Sequence, residues 1–103
     1  MAQFDIYRNP GRRTAEIPFL LNVQNDHVST RTGATVVIPL RSSVSTVEVL
    51  APAVTVGGHG EFVMCTDELF AIDVTALKGV VAKLSAGDRL KVRPALDKLF
   101  GDY

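Results

Sequence analysis

The side chains that could do acid–base, nucleophilic or metal chemistry are few in this chain and widely spaced. The sequence holds two histidines, His27 and His59, and a single cysteine, Cys65. Zinc sites bring their ligands together in closely spaced pairs, and no such spacing occurs here. Cys65 lies in the apolar run 62–65, which predicts a small buried side chain and not a nucleophile. The sequence therefore predicts no catalytic residue, metal or cofactor.

The charged residues give little further sign of catalysis. Only Asp67 and Glu68 are adjacent carboxylates, and this pair favours a turn over general acid–base chemistry. The one local basic cluster consists of Arg8, Arg12 and Arg13, while the formal net charge of the chain is zero. Proteins that bind nucleic acid usually carry a basic excess or a clustered basic face. Composition therefore argues against direct nucleic-acid binding, and a solvated turn is the simplest interpretation of the arginines.

The elements that position these residues are predicted mainly as strands. The stretch 19–40 opens and closes on apolar runs with a polar segment containing Gly33 between them, which predicts two antiparallel strands joined by a loop. Pro39 is expected at a strand edge, a bulge or a strand end, because proline cannot donate to a ladder. Further strands are predicted at 3–7 and 17–23, as a first hairpin, and at 53–56 and 61–64, as a hairpin around the glycine cluster 57–60.

Two of the remaining segments fit more than one secondary structure. A strand is expected at 69–74, although the window 68–77 also fits a helix, and 41–49 fits either a flexible excursion or an irregular strand. The apolar spacing in 77–84 predicts a helix, and Val92, Leu96, Leu99 and Phe100 predict an apolar stripe on a terminal helix that ends at Gly101. The chain is thus expected to be one domain, 1–103, mostly β with a C-terminal helix. No N-terminal run resembles a secretory signal and no apolar segment is long enough to span a bilayer, so we expect a cytoplasmic protein.

Five segments of the chain, taken in order, resemble the CcdB family of toxins. They are QFDIY at 3–7, NVQND at 22–26, VIPL at 37–40, LAPAVTVG at 50–57 and MCTD at 64–67. The resemblance implies a small SH3-like barrel of antiparallel strands, the fold shared by CcdB and PemK toxins, assembled as a homodimer. It also implies a toxin without catalysis of its own, which binds the A subunit of DNA gyrase and traps the enzyme with its DNA cut. DNA itself would be met only through gyrase or through the repressor complex of toxin and antitoxin, and a membrane is not an expected partner.

The resemblance also implies sites. The family's gyrase contact lies at the C-terminus, where its best-known pattern is Phe-Trp-Gly-Ile. Here the end is Leu99, Phe100, Gly101, Asp102 and Tyr103. An alignment on glycine puts Phe100 at the Trp position, whereas one on the helix stripe puts Gly101 there and ends at Tyr103.

Two further sites follow from the resemblance. A second gyrase-facing patch corresponds to His27 and Val28. The cognate antitoxin, whose C-terminal segment is disordered when free, would meet the first hairpin loop at Arg8, Arg12 and Arg13, where an acidic segment finds opposite charge.

Two other interpretations stay open from the sequence. One is an endoribonuclease like the PemK and MazF toxins, in which Arg41, Asp67, His27 or His59 would supply the acid–base groups. The absence of a basic excess counts against it, and a shared fold does not fix function. The other is a degenerate relative that keeps the fold and the antitoxin surface but has lost the toxic C-terminus.

Overall fold

The computed structural model describes residues 2–101, and within them the chain forms one curled antiparallel sheet and three helices. The order along the sheet is β4-β5-β3-β2-β1-β7, and β6 pairs with the first half of β3. The strands are β1 (Asp5–Arg8), β2 (Phe19–Asn22), β3 (Ala34–Arg41), β4 (Ala53–Val56), β5 (Gly60–Met64), β6 (Phe70–Asp73) and β7 (Val80–Lys83). The helices are α1 (Asp26–Thr32), α2 (Ala86–Arg89) and α3 (Val92–Phe100).

The sheet curls into a half-barrel, since its end strands β4 and β7 do not pair with each other in the described part of the chain. Both predicted hairpins are present: β1 pairs with β2, and β4 pairs with β5 around a turn in which Gly58 and Gly60 take positive φ. The central strand β3 pairs with β2 along half of its length. The predicted mostly β fold with a C-terminal helix is confirmed.

Both faces of the central strands are buried, which explains why their sequences are almost continuously apolar. Successive side chains of a strand point to opposite faces. Thus Phe19 and Leu21 of β2 join the main core, which also includes Val92 and Ala95 of α3, while Leu20 joins a second cluster. The second cluster consists of Tyr7, Leu20, Val37 and Leu77. α3 therefore closes one face of the curled sheet, and the chain around Leu77 covers part of the other.

Three sequence predictions are wrong in detail. The polar segment after β2 is not a loop throughout, because residues 26–32 form α1. The helix predicted in 77–84 is instead β7, whose residues pair with β1. The helical alternative for 68–77 is also wrong: β6 occupies its middle, and the short 3₁₀ turns Thr66–Glu68 and Val74–Ala76 flank the strand.

The structure also settles the segment after β3 and the position of Pro39. Residues 42–50 form an irregular loop closed by one isolated bridge between Val47 and Ala51. Pro39 lies inside β3 and not at its end, but it falls between the residues that pair with β6 and those that pair with β5. A proline is tolerated there because the ladder on that side of β3 is interrupted. Among residues 2–101, no helix is long and apolar enough to cross a membrane.

Candidate functional site

The end of α3 exposes an aromatic side chain. The helix begins at Val92, so Pro94 falls in its first turn, where the missing N–H costs no intrahelical hydrogen bond. Val92 and Ala95 are buried, Leu96 and Leu99 are half-buried, and 71% of Phe100 is exposed. The prediction that Phe100 belongs to the buried stripe is therefore wrong: at 3.6 residues per turn it lies roughly 80° round the helix from Val92.

Gly101 ends α3 as predicted, but with φ −61° and ψ 158° it is extended and not left-handed. The backbone at Gly101 is thus not in the left-handed conformation that favours glycine. Leu99, Phe100 and Gly101 form the terminal patch, the described part of the predicted gyrase contact. Asp102 and Tyr103, which belong to the same prediction, lie outside the described residues.

α1 carries the second predicted patch. Asn25 caps the helix by accepting a hydrogen bond from the His27 N–H at 2.8 Å, and Gly33 ends it in the left-handed conformation at φ 76°. His27 is exposed, and 45% of Val28 is exposed. Both side chains are accessible on a short helix that packs against β3.

A buried polar network lies beneath α1 and fixes its position. The Ser29 hydroxyl is 2.9 Å from that of Thr35, which donates to Asn22 Oδ1 at 2.6 Å. The Gln24 amide reaches the Ser29 hydroxyl and the Ala34 carbonyl. Asn22 and Thr35 are fully buried, and in the described residues no buried side-chain polar atom lacks a partner. Sequence patterns did not indicate this network, because its members are spread over β2, α1 and β3.

The three predicted antitoxin-binding arginines lie in different surroundings. The Arg8 guanidinium is 5.9 Å from the centroid of the Phe19 ring, and Arg12 is exposed. Arg13 donates to Glu16 Oε2 at 2.6 Å, a contact that lowers the pKa of the Glu16 carboxyl. Arg13 thus already has an anionic partner within the chain, whereas Arg8 and Arg12 have no carboxylate partner in the described residues.

The four residues considered for RNA cleavage lie on different elements. Arg41, at the end of β3, makes a bidentate pair with Glu68, with Nε 2.6 Å from Oε1 and Nη2 3.0 Å from Oε2. That pair raises the pKa of the guanidinium. Asp67 is exposed on the turn beside Glu68. Arg41 therefore meets the 66–68 turn, but through Glu68 and not through Asp67.

Neither histidine joins this arrangement. His59, on the β4–β5 turn, stands edge-on to the Phe19 ring with 5.1 Å between ring centroids. His27 is on α1, and within residues 2–101 no hydrogen bond or ion pair links either histidine to Arg41. No acid–base pair of the kind needed to cleave a phosphodiester is formed by these four side chains.

Cys65 is buried as predicted, with 7% of the residue exposed. Burial raises the pKa of the thiol, so the reactive thiolate is disfavoured at neutral pH. No group of three or more histidine, cysteine or carboxylate side chains that could hold a metal ion occurs in the described residues.

Comparison with known proteins places these observations in a family. A family model described as CcdB protein matches residues 3–101. No curated protein sequence matches the chain. Among solved structures, an endoribonuclease from a mycobacterial species in complex with its cognate antitoxin superposes with a TM-score of 0.82 at 18% identity, covering 98% of this chain and 95% of that chain.

Two further structures have the same fold. A second mycobacterial endoribonuclease gives a TM-score of 0.74 at 18% identity, over 98% of this chain and 91% of that chain. The MazE–MazF complex from Deinococcus radiodurans gives 0.72 at 19% identity, over 99% and 97%. At these identities the similarity establishes a shared fold.

Proposed function

The chain belongs to the CcdB family of toxins from toxin–antitoxin systems, and from this membership we propose that it binds the A subunit of DNA gyrase and traps the enzyme with its DNA cut. The observation that carries the proposal is the terminal patch. It presents an aromatic ring, 71% exposed, at the last residue of a helix whose other face is held in the core. An aromatic side chain that becomes desolvated at an interface is a common source of binding energy.

The same proposal assigns one surface to each partner. Leu99, Phe100 and Gly101, continued by Asp102 and Tyr103, would contact gyrase, and His27 and Val28 on α1 would provide the second contact. The cognate antitoxin would bind the basic surface at Arg8, Arg12 and Arg13. The toxin would act as a cytoplasmic homodimer without catalysis, and in complex with its antitoxin it would repress transcription.

The experiment is a cleavage assay with purified protein, gyrase, supercoiled plasmid and ATP, quenched with detergent and protease. We expect linear DNA only when both proteins are present. Phe100→Ala should raise the concentration needed for half-maximal cleavage roughly 30-fold, which corresponds to a loss of about 2 kcal/mol. Folding should be unchanged, because most of the side chain is in solvent.

The matched control is Phe70→Ala, the same substitution on a side chain that is 40% exposed and lies on β6, outside the residues predicted to contact gyrase. We expect its cleavage titration to match that of the unmodified protein. Equal losses in the two variants would mean that the terminal patch has no special part in gyrase binding, and the proposal would fail.

An endoribonuclease is the second candidate, supported by the two structural neighbours that are described as endoribonucleases. The bidentate pair of Arg41 with Glu68 argues against it, because a phosphate-binding arginine would first have to leave a carboxylate 2.6 Å away. Incubating the protein with RNA alone separates the two functions. Cut RNA that is lost in Arg41→Ala would support the nuclease, and absence of both activities would support a degenerate relative.

A further inference from the structure

A cleft opens at the point where β1 and β7 separate. The last pair of their ladder is Tyr7 with Val80. Beyond that pair, residues 8–10 border one side, and Ala76, Lys78 and Gly79 the other, of an open space of about 380 Å³. That volume lies within the range of pockets that hold ligands, and the cleft shares no residue with the terminal patch or with α1.

The charge of the cleft is positive. Arg8 lines one wall and Lys78 the other, and no carboxylate side chain lines the space. Lys78 Nζ donates to the Thr75 carbonyl at 3.0 Å, which holds the ammonium group close to its own wall. Within residues 2–101 neither cation forms an ion pair, whereas Arg13, Arg41, Lys83 and Lys91 all do. Both charges are therefore available to an anionic ligand.

The rest of the lining favours a peptide over a nucleic acid. Val80 is 47% exposed, and the half-buried Val81 and the exposed Pro10 extend the apolar surface. No aromatic ring lines the cleft, because the nearest one along the ladder, Tyr7, is only 4% exposed. Single-stranded RNA usually binds by stacking its bases on exposed aromatic rings. Two cations beside valine side chains instead match a segment that alternates carboxylates with apolar residues.

An extended segment could also use the free side of β7. In the described residues this strand pairs only with β1, so its other edge carries main-chain groups that a further strand could pair with. The cleft also touches the start of β7, since Val80 is the first residue of that strand.

We propose that this cleft binds an extended acidic peptide, with carboxylates on Arg8 and Lys78 and an apolar side chain on Val80. The inference rests on the proposed function in that the natural ligand would be the acidic segment of the antitoxin. It adds Lys78 and Val80 to that contact. It makes Arg13 a weaker member of the predicted set, because its guanidinium already pairs with Glu16.

The test uses the full-length protein and a blocked ten-residue peptide of alternating glutamate and valine, with a glutamine–valine peptide and oligouridylate as comparison probes. Backbone amide shifts are followed by ¹⁵N NMR. We expect the glutamate peptide to shift the amides of residues 8, 9 and 78–81. Arg8→Gln combined with Lys78→Gln should raise the Kd roughly tenfold. Arg31→Gln combined with Arg93→Gln removes the same charge outside the cleft and should leave the Kd unchanged.

Three results would overturn the inference: no shift of these amides at millimolar peptide, equal binding of the glutamine peptide, or tighter binding of oligouridylate at the same amides. The gyrase cleavage assay on the same variants keeps the two proposals separate. If the unmodified protein traps cut DNA but does not bind the peptide at the cleft, only this inference fails. If it binds the peptide but does not trap cut DNA, only the gyrase proposal fails.

Discussion

Asn22 controls the position of α1 although it belongs to β2. Its Oδ1 accepts a hydrogen bond from the Thr35 hydroxyl at 2.6 Å, and its Nδ2 donates to the Ala2 carbonyl at 2.9 Å. The residue is fully buried, so each of these groups would have no solvent to replace a lost partner. Through Thr35 and Ser29 the network reaches the helix that presents His27 and Val28.

We expect Asn22→Ala to lower the free energy of unfolding by about 2–3 kcal/mol, because it leaves buried polar groups unpaired and creates a cavity. Urea denaturation followed by circular dichroism measures the loss. Thr30→Ala, on the exposed side of α1, is the control and should change the free energy by no more than about 0.5 kcal/mol. A loss for Asn22→Ala no larger than that of the control would show that the network does not stabilise the fold.

At the scale of elements, the two edge strands of the sheet differ in whether side chains cover their outer edges. The outer edge of β4 is covered by a side chain of α2 and by one from the residue before α3. Asp88 Oδ2 accepts from the Thr55 N–H at 2.8 Å, and Lys91 Nζ donates to the Ala53 carbonyl at 2.8 Å. The two side chains also pair with each other at 2.9 Å. These contacts satisfy main-chain groups of β4 that could otherwise pair with another strand. The outer edge of β7 has no such contacts in the described residues.

The Asp88 contact predicts a pH dependence of stability. Burial alone would raise the pKa of this carboxyl, but the Thr55 N–H, Lys91 and Ser85 together lower it below the ordinary value of 3.8. As pH falls, the unfolded chain takes up the proton first, so stability present at neutral pH is lost as the pH falls through 3.8 and below. Asp88→Asn does not titrate, and we expect a smaller decrease in unfolding free energy over that range.

Urea denaturation at a series of pH values measures this dependence. Asp97→Asn removes an exposed carboxylate from α3 and serves as the control, with the acid-side decrease of the unmodified protein retained. If Asp88→Asn lost stability as steeply as the unmodified protein over the same acid range, the coupling between Asp88 and the β4 edge would be disproved.

The elements also show which parts of the fold the sequence could predict. The β4–β5 hairpin was predictable because two runs that favour strands flank a glycine cluster, and the turn needs positive φ at Gly58 and Gly60. α1 was missed because its interior is rich in serine and threonine, which favour helices weakly. Its ends carried the signal, with Asn25 as the N-cap and the left-handed Gly33 after the last turn.

The error at β7 has a different cause. Leu77, Val80, Val81 and Leu84 match helical spacing over a window too short to separate a helix from a strand followed by turns. Pairing with β1, which lies near the other end of the sequence, decides the outcome, and no local pattern contains that information. For the candidate site, only the resemblance to the CcdB family predicted a gyrase contact at the end of α3. The exposure of Phe100 and the pairing of Arg13 and Arg41 required the structure.

At the scale of the whole molecule, zero net charge conceals an uneven distribution of charge over the surface. Arg13, Glu16, Arg41 and Glu68 form a chain of ion pairs that neutralises one region of the surface. The positive charge that remains available includes Arg8 and Lys78 at the cleft. A protein with no overall charge can thus attract an acidic segment to one place without binding nucleic acid generally.

The exposed apolar side chains lead to a prediction about assembly. In the described residues, eight large apolar side chains are at least 40% exposed, and Leu90 is the most exposed of them at 77%. A chain of this size has little core to spare, so covering part of that surface in a homodimer would add to its stability. We expect sedimentation equilibrium to give twice the chain mass of 11.1 kDa at micromolar concentrations.

The thermal unfolding midpoint of such a dimer should rise with protein concentration, because association draws the equilibrium toward the folded state by mass action. Phe100→Ala, which changes only the predicted gyrase contact, should keep the dimer mass. The mass of a single chain at every concentration, with an unfolding midpoint that does not move, would refute the homodimer. The terminal patch would then have to bind gyrase from a monomer, with one exposed ring per toxin instead of two.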